Sequence, residues 1–391
     1  MARQRTPAVT AVLAACVPLA LLAACGSDDG ADGGGTTTPA TADVADAADA
    51  AGEVTASGIS PERCEANKAA GTITYLSGFD FSASASIVEV IGAEDKGYFD
   101  AMCLDVELKP SFSVANYPLV AANESQFASA GSYAEIADFN AANDADLVVV
   151  ALEGKTAIDG LIVKDGEGTT PADLEGKTIG VKGKLQPSLE AMLAQAGLVE
   201  GTDYTTVGIE GFDPLVHSEL PGLAAFTGYK SNEPGQLERA GVPFTLLDPS
   251  KDDIPGSFGI LYTNAGFINE HPTAAQDFVR AAMRGMEDAI ADPDAASQTA
   301  VDLINANGNE NFLSPEGEQF RWRTESALVT EFTPDGEPVG LIDPAELQAQ
   351  LDAYDAIGIF TAKPPIEGTY DDALIAGVYG DDGKVIWPNS D

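Results

Sequence analysis

Short β-type runs alternate with helical patterns along most of this chain, and the alternation constrains the fold more than any other feature. The run at 72–76 is rich in β-branched and aromatic residues, whereas Ile87, Val90 and Ile91 recur at the spacing of one helix face. Such alternation predicts parallel strands joined by crossover helices, an α/β architecture. The predicted strands are 72–76, 104–108, 126–130, 147–152, 160–163, 178–181, 224–227 and 244–247.

Helix boundaries are indicated by prolines, capping residues and glycines. Ser132 and Glu135 have the spacing of a capping box, and Pro118 is placed as the first residue of a short helix. After Pro272 the pattern becomes mainly helical. The predicted helices cover 118–123, 188–196, 272–291, 315–328 and 343–358, and one more begins at 132.

Residues 1–24 have the layout of a secretory signal. Two arginines, Arg3 and Arg5, precede an uncharged apolar stretch over 8–24. The stretch ends in Leu22-Ala23-Ala24-Cys25-Gly26, which resembles the lipobox of bacterial lipoproteins, in which the cysteine is acylated. We expect cleavage before Cys25, a palmitate-type lipid anchor there, and a location on the extracytoplasmic face of the cell membrane. A permanent transmembrane anchor is the alternative.

Residues 25–60 are expected to form a flexible acidic tether behind the lipidated Cys25. Gly, Ala, Asp and Thr dominate this segment, which therefore cannot bury enough apolar surface to offset its chain entropy. Cys64 and Cys103 then remain as a pair in an oxidising compartment, and we expect a disulfide between them. Two buried free thiols are the alternative.

The charge balance excludes several classes of function. The chain has 62 acidic and 20 basic residues, a formal net charge of -42, so repulsion from a phosphate backbone excludes nucleic acid as a partner. Its two histidines, His217 and His271, supply neither a His-rich metal site nor ample acid/base chemistry. We expect no resident cofactor, no metal and no catalytic residues.

Several motifs, dispersed over about 72–360, resemble the extracytoplasmic binding proteins of ABC importers, in the branch for nitrate, alkanesulfonates and thiamine pyrimidine precursors. The motifs are Gly78-Phe79-Asp80, Lys96-Gly97-Tyr98-Phe99, Leu104-Asp105-Val106-Glu107, the segment 170–181, and Asn232-Glu233-Pro234. This resemblance implies a two-lobed periplasmic-binding-protein-like type II fold, in which each lobe is an open α/β sheet and the C-terminal part is helical.

The same resemblance implies how the chain divides. Two crossing segments, near Gly160 and Ser257, would join the lobes. Lobe 1 would comprise 61–160 and 258–391, and lobe 2 would comprise 161–257. The expected partners are a small-molecule ligand and, at the membrane, an ABC permease with its ATPase. We expect a monomer.

Candidate ligand-binding residues follow from where ligands bind in open α/β sheets, beyond the carboxyl ends of strands and at helix N-termini. Four such termini are expected, at 82–86, 116–118, 132 and 186–188. Aromatic side chains on the loops would stack on a flat heterocycle, and Glu233 or Asp80 would accept its N–H donors. The candidates are Phe79, Asp80, Phe81, Ser84, Asn116, Ser132, Tyr133, Lys184, Ser188, Tyr229, Asn232 and Glu233.

A neutral or weakly basic heterocycle is favoured as the ligand, with a pyrimidine precursor of thiamine first. No arginine lies between Arg63 and Arg239, so the presumed cleft loops offer an anion only Lys182 and Lys184. Alkanesulfonate, nitrate and riboflavin are the alternatives for the same receptor role. A sensor that kept the fold without transport is a further alternative.

An enzyme resembling the thiamine-pyrimidine synthases is the alternative from another class. Such an enzyme would use pyridoxal phosphate with a reactive lysine, a histidine of its own chain and a Cys-rich iron site. Two histidines and no clustered cysteines disfavour it.

Overall fold

A computed structural model describes residues 52–307 and 314–388 of the chain. Within these residues two five-stranded sheets with helices packed against them make up the expected α/β architecture. The strands are β1 (Val54–Thr55), β2 (Gly58–Ile59), β3 (Thr72–Leu76), β4 (Asp105–Lys109), β5 (Phe127–Ala130), β6 (Leu147–Gly154), β7 (Asp159–Lys164), β8 (Thr178–Val181), β9 (Thr205–Gly208), β10 (Ala225–Tyr229), β11 (Phe244–Leu247) and β12 (Phe258–Asn264). The helices are α1 (Pro61–Lys68), α2 (Val88–Asp95), α3 (Tyr98–Ala101), α4 (Ser113–Ala121), α5 (Tyr133–Asn143), α6 (Pro187–Gln195), α7 (Pro214–Glu219), α8 (Glu233–Ala240), α9 (Ala265–Glu270), α10 (Pro272–Ala291), α11 (Pro293–Asn307), α12 (Pro315–Phe332), α13 (Pro344–Asp355) and α14 (Asp372–Ala376).

Both sheets are mixed. The first has the order β4–β3–β5–β12–β6, in which β3 is parallel to β4 and β5 and β12 is antiparallel to β5 and β6. The second has the order β11–β7–β10–β8–β9, in which β8 is parallel to β9 and β10 and β7 is antiparallel to β10 and β11. The expected parallel pairing is therefore confirmed for β3 with β4 and β5 and for β8 with β9 and β10, whereas β7 and β12 pair antiparallel with their neighbours.

The antiparallel strands adjoin the two crossings between the sheets. The chain leaves the first sheet after β6, enters the second at β7, and returns from β11 to β12 through residues 248–257. Neither crossing contains an α-helix. Because parallel neighbouring strands usually need a crossover helix between them, the strands that follow the crossings can run antiparallel to their neighbours. The crossings lie close to the expected Gly160 and Ser257. We propose the corresponding lobes, 61–160 with 258–391 as lobe 1 and 161–257 as lobe 2.

Helix α4 begins earlier than the sequence pattern predicted. Phe112, in extended conformation at φ -135° and ψ 138°, precedes the helix, and the Ser113 N–H donates to the Gly78 carbonyl. Pro118 consequently lies inside the helix and does not begin it. The expected helix N-terminus at 116–118 is wrong, because Asn116 is an interior helical residue.

The beginning of the described chain is folded against the body of the protein. Residues 54–59 form the β1–β2 hairpin, Val54 is buried, and the Ser60 side chain accepts from the Arg63 N–H at 3.2 Å. The prediction of a flexible tether is therefore wrong for 52–60. The predicted signal peptide 1–24 and Cys25 lie outside the described residues. Every helix among the described residues is too short or too polar to traverse a bilayer.

Helix α10 is the central packing element of lobe 1. Its Phe278 ring stacks on Phe127 and Phe99, with centroids 3.9 Å and 4.9 Å apart. A Cβ at Gly285 would lie 2.2 Å from the Glu89 carbonyl oxygen of α2, so glycine is required for this close approach. The packing fixes α2, and with it the segment 82–86 that precedes α2.

A buried ionic network joins α1 to α10. The Arg63 guanidinium donates to both carboxylate oxygens of Asp277, at 2.7 Å and 2.9 Å, and Arg280 Nε donates to Asp277 at 3.0 Å. Asn67 adds a further hydrogen bond to the same carboxylate at 2.7 Å. Asp277 is fully buried, so these contacts are needed to compensate its charge. The disulfide between Cys64 and Cys103 holds α1 to the same region.

The substitution Asp277→Ala should strongly destabilise the fold. Loss of the carboxylate leaves Arg63 and Arg280 buried with their main counter-charge removed, which costs about 3–5 kcal/mol in comparable buried pairs. Urea denaturation of the two chains measures the difference in free energy of unfolding. Asp302→Ala, at an exposed site on α11, is the matched control and should change it little. Equal effects of the two substitutions would contradict this role for Asp277.

Candidate functional site

A cavity of about 370 Å³ lies where the strand ends of the two sheets face each other. Its walls follow the carboxyl ends of β3, β4 and β5 on one side and of β8 and β10 on the other, where open α/β sheets bind ligands. Its size is that of a small-molecule pocket. A groove of about 440 Å³ along α10 is lined by lobe 1 residues alone, so the two sheets do not converge on it.

Half of the residues predicted to bind ligand line this cavity. They come from the loops after β3 and β5, from the last residue of β10 and from the residues that lead into α8. They are Phe79, Ser84, Ser132, Tyr229, Asn232 and Glu233.

The other candidates from lobe 1 do not line the cavity. The Asp80 side chain accepts from the Phe81 N–H at 2.8 Å, and the Phe81 ring is buried in the core. Asn116 is fully buried and donates to the Ser77 carbonyl at 2.8 Å, because it lies in the middle of α4. Tyr133 is fully buried as well. None of these four lines the cavity, so a part for them in ligand binding stays a prediction from the sequence.

The remaining two candidates lie beside the cavity without lining it. The Ser188 hydroxyl donates to the Asp159 carboxylate at 2.8 Å, so it orients a cavity-lining acid. Lys184 is exposed to solvent and lies outside the lining. The cation that does line the cavity is Lys182.

Three carboxyl groups cap the backbone of segment 83–86. The N–H groups of Ala83 and Ala85 donate to Glu318 and Glu325, each at 2.7 Å. The Ser86 N–H donates to Glu153 at 2.6 Å. All three glutamates are buried. The expectation that these amides face a ligand is therefore wrong, because side chains of the chain itself occupy them.

Arg321, on α12, is a cavity-lining residue that sequence reasoning missed. Its guanidinium donates to Asn232 Oδ1 and to Glu318, each at 3.3 Å, and lies 5.8 Å from the centroid of the Phe79 ring. The sequence argument expected no arginine in the cleft because it considered only the loops within 63–239. Glu318, Arg321 and Glu325 recur at i, i+3 and i+7, and this one-sided charged pattern was the available signal.

Glu233 positions a lysine. One of its carboxylate oxygens pairs with Lys182 Nζ, and the other accepts from the Tyr229 N–H at 2.7 Å. The side chain is fully buried, so both oxygens are already engaged. The Lys182 ammonium lies 5.8 Å from the centroid of the Phe212 ring.

Aromatic rings from both lobes form the mouth of the cavity. Phe79 contacts Phe112 and Phe212 edge-on, with centroids 5.7 Å and 5.8 Å apart. Phe112, Phe212 and Tyr229 are each 40–47% exposed although they line the cavity. We call Phe79, Phe112, Phe212 and Tyr229 the aromatic rim. Phe112 and Phe212 were not predicted, because each lies in a loop without a periodic pattern.

The cleft is also acidic. Asp159 lines it, and burial raises the pKa of this carboxyl to about 6. Glu135 lines it too, and burial raises its pKa. Behind segment 83–86, burial raises the pKa of Glu89 to about 8 and that of its neighbour Glu153 well above the ordinary value.

The lining supplies little reactive chemistry. Among the described residues, no histidine or cysteine lines the cavity, and no cluster of acids, histidines or cysteines could hold a metal ion. His217 is instead buried in lobe 2, where its ring packs on Phe226. The arrangement is suited to holding a molecule between rings, carboxylates and two cations.

Glu89 should make the stability fall as the pH rises. Because folding raises its pKa from 4.5 to about 8, the folded chain retains a proton that the unfolded chain releases. This stabilisation is complete at acidic pH and is lost as the pH rises through about 8. Between these limits, the unfolding free energy of the wild type should fall relative to Glu89→Gln by up to about 1.4 kcal/mol per pH unit.

Urea denaturation across this pH range measures the effect. Glu65→Gln, at a side chain 75% exposed, is the control and should follow the wild type. Parallel pH profiles for the wild type and Glu89→Gln would contradict the assignment.

Sequence comparison with known proteins identifies the family to which the chain is similar. Residues 84–296, more than half of the chain, match the family described as NMT1/THI5 like. The riboflavin-binding protein RibY of Chloroflexus aurantiacus is 34% identical over 134 residues, which are 34% of this chain and 38% of that protein. The alignment thus spans well under half of the relative.

Solved structures share the fold at low identity. The periplasmic aliphatic sulphonate binding protein SsuA from Escherichia coli has a TM-score of 0.58 at 13% identity, covering 76% of this chain and 91% of that one. The desulfurization enzyme DszB has a TM-score of 0.51 at 14% identity, covering 78% and 97%. The chain therefore has the two-lobed periplasmic-binding-protein fold, and it belongs to the NMT1/THI5-like family.

Proposed function

We propose that this chain is the solute-binding receptor of an ABC importer and that its cleft takes a small, flat heterocycle. The observation that carries the proposal is the aromatic rim, whose rings come from both lobes and remain partly exposed at the mouth of the cavity. A stacked ring pair contributes about 0.5–1.5 kcal/mol beyond the area it buries. A flat ligand gains this stabilisation from both lobes only when they are closed around it.

Riboflavin is the ligand that we put first. A flavin presents a flat ring system and two carbonyl oxygens, which need hydrogen-bond donors. Arg321 has five N–H donors, of which contacts within the described residues use one for Asn232 and one for Glu318. The similarity to a riboflavin-binding protein supports the same choice.

A pyrimidine precursor of thiamine is the second candidate. An aminopyrimidine donates N–H groups and needs a carboxylate acceptor, for which the sequence argument chose Glu233. Because Lys182 and the Tyr229 N–H already engage that carboxylate, the candidate depends on Asp159 and Glu135 instead. Because both carboxyl groups line the cavity, thiamine pyrimidine precursors are included in the binding experiment.

We infer that the receptor is anchored by lipid at Cys25 and delivers its ligand to a permease coupled to an ATPase. The apolar stretch before Cys25 and the acidic segment after it support this arrangement. The enzyme alternative has less support, because no histidine or cysteine lines the cavity among the described residues. Lys182, which lines it, is paired with Glu233.

Riboflavin should bind the purified full chain, and binding should depend on the aromatic rim. Tyr229→Ala and Phe212→Ala each remove a half-exposed ring, so the fold should persist while the affinity falls about tenfold or more. Isothermal titration measures the dissociation constants, with thiamine pyrimidine precursors, alkanesulfonates and nitrate as competitors.

Phe332→Ala is the matched control, since this phenylalanine is 36% exposed at the end of α12 and outside the cavity. It should bind like the wild type. Binding of an aminopyrimidine alone would replace riboflavin as the ligand and keep the receptor. Unchanged affinity in both rim variants would contradict the site.

Cys25→Ser should abolish attachment of the lipid. Without the thiol no acyl chain can be attached there, so cells supplied with labelled palmitate should label the wild type and not the variant. Ser27→Ala, two residues further on, is the control and should be labelled like the wild type. Equal labelling of Cys25→Ser and the wild type would contradict the lipid anchor.

A further inference from the structure

We propose that the cleft excludes anionic ligands because buried glutamates fill its anion-binding amides. This inference rests on the proposed function and deepens it, since it names the residues that select a neutral or weakly basic ligand. The glutamates are Glu153, Glu318 and Glu325.

The amides in question lie where an anion would be expected to bind. Segment 83–86 lies between β3 and the start of α2, and its residues 84–86 line the cavity. Successive backbone N–H groups at such a turn attract phosphate, sulfate or carboxylate groups. Here each of three amides instead donates to a protein carboxyl group at 2.6–2.7 Å.

The capping groups come from distant parts of the chain and are held firmly. Glu153 lies on β6, and Glu318 and Glu325 lie on α12. Their exposure is 0–4%, so none can swing into solvent to make room for a ligand. Glu325 also accepts from the Ser231 hydroxyl of lobe 2 at 2.6 Å. An incoming anion would therefore find these three amides already engaged.

The cleft cations are engaged in the same way. Arg321 contacts Glu318 on its own helix, and Lys182 pairs with Glu233. An anionic ligand would have to displace a buried carboxylate from each of them, whereas a carbonyl oxygen needs only a spare N–H. Charge compensation inside the chain thus favours neutral polar ligands.

The test removes one capping group and supplies a substitute anion. Purified full chains carrying Glu325→Ala or Glu318→Ala are melted in sodium chloride, sodium formate and sodium methanesulfonate at equal ionic strength. Both variants should melt below the wild type in chloride, and formate should restore about half of the loss by filling the vacated position. Wild type and Glu331→Ala, an exposed site on the same helix, should melt alike in all three salts.

A second variant keeps the proposal testable if the alanine variants do not fold. Glu325→Gln retains an acceptor for the Ala85 N–H, so the amide stays filled, and isothermal titration should show no binding of ethanesulfonate to this variant or to the wild type. Equal salt responses of all chains, or ethanesulfonate binding by the wild type or by Glu325→Gln, would overturn the proposal. These measurements contain no heterocycle, so failure to bind riboflavin would overturn the proposed function separately.

Discussion

The cleft depends on one buried charged face of α12. Glu318, Arg321 and Glu325 lie on that face and project between the lobes, where the carboxylates hold segment 83–86 and the guanidinium reaches Asn232. Glu325 simultaneously holds Ser231 of lobe 2. Burying these charges is tolerated because each has a partner. The shape of the ligand-facing wall is therefore set by a helix from the C-terminal part of the chain.

Much of the architecture was predictable from the sequence because it is encoded locally. The run at 72–76 and the helix at 272–291 have the predicted bounds, since periodicity and a Pro at the first helical position determine them. The mixed direction of the sheets was not predictable in this way. It depends on how the chain crosses between lobes, and β7 and β12 carry no local mark of the strands they pair with.

The site was predictable where a loop follows a strand, and unpredictable where distant segments meet. Phe79 and Ser132 line the cavity because they follow β3 and β5, and Tyr229 lines it because it ends β10. Arg321 lies 243 positions after Gly78 in sequence, and only the packing of α12 brings it to the cleft. The same packing explains why the amides of segment 83–86 are engaged. The fold also hosts a sulphonate-binding protein and an enzyme, so such contacts determine the function.

A crystal structure of the full chain grown with riboflavin tests the central claim most directly. The account predicts the flavin ring within the aromatic rim, in contact with Phe79 and Tyr229, and a carbonyl oxygen within hydrogen-bond distance of Arg321. Segment 83–86 should keep its three glutamate caps. A flavin bound in the groove along α10, or an empty cleft at saturating riboflavin, would contradict the account.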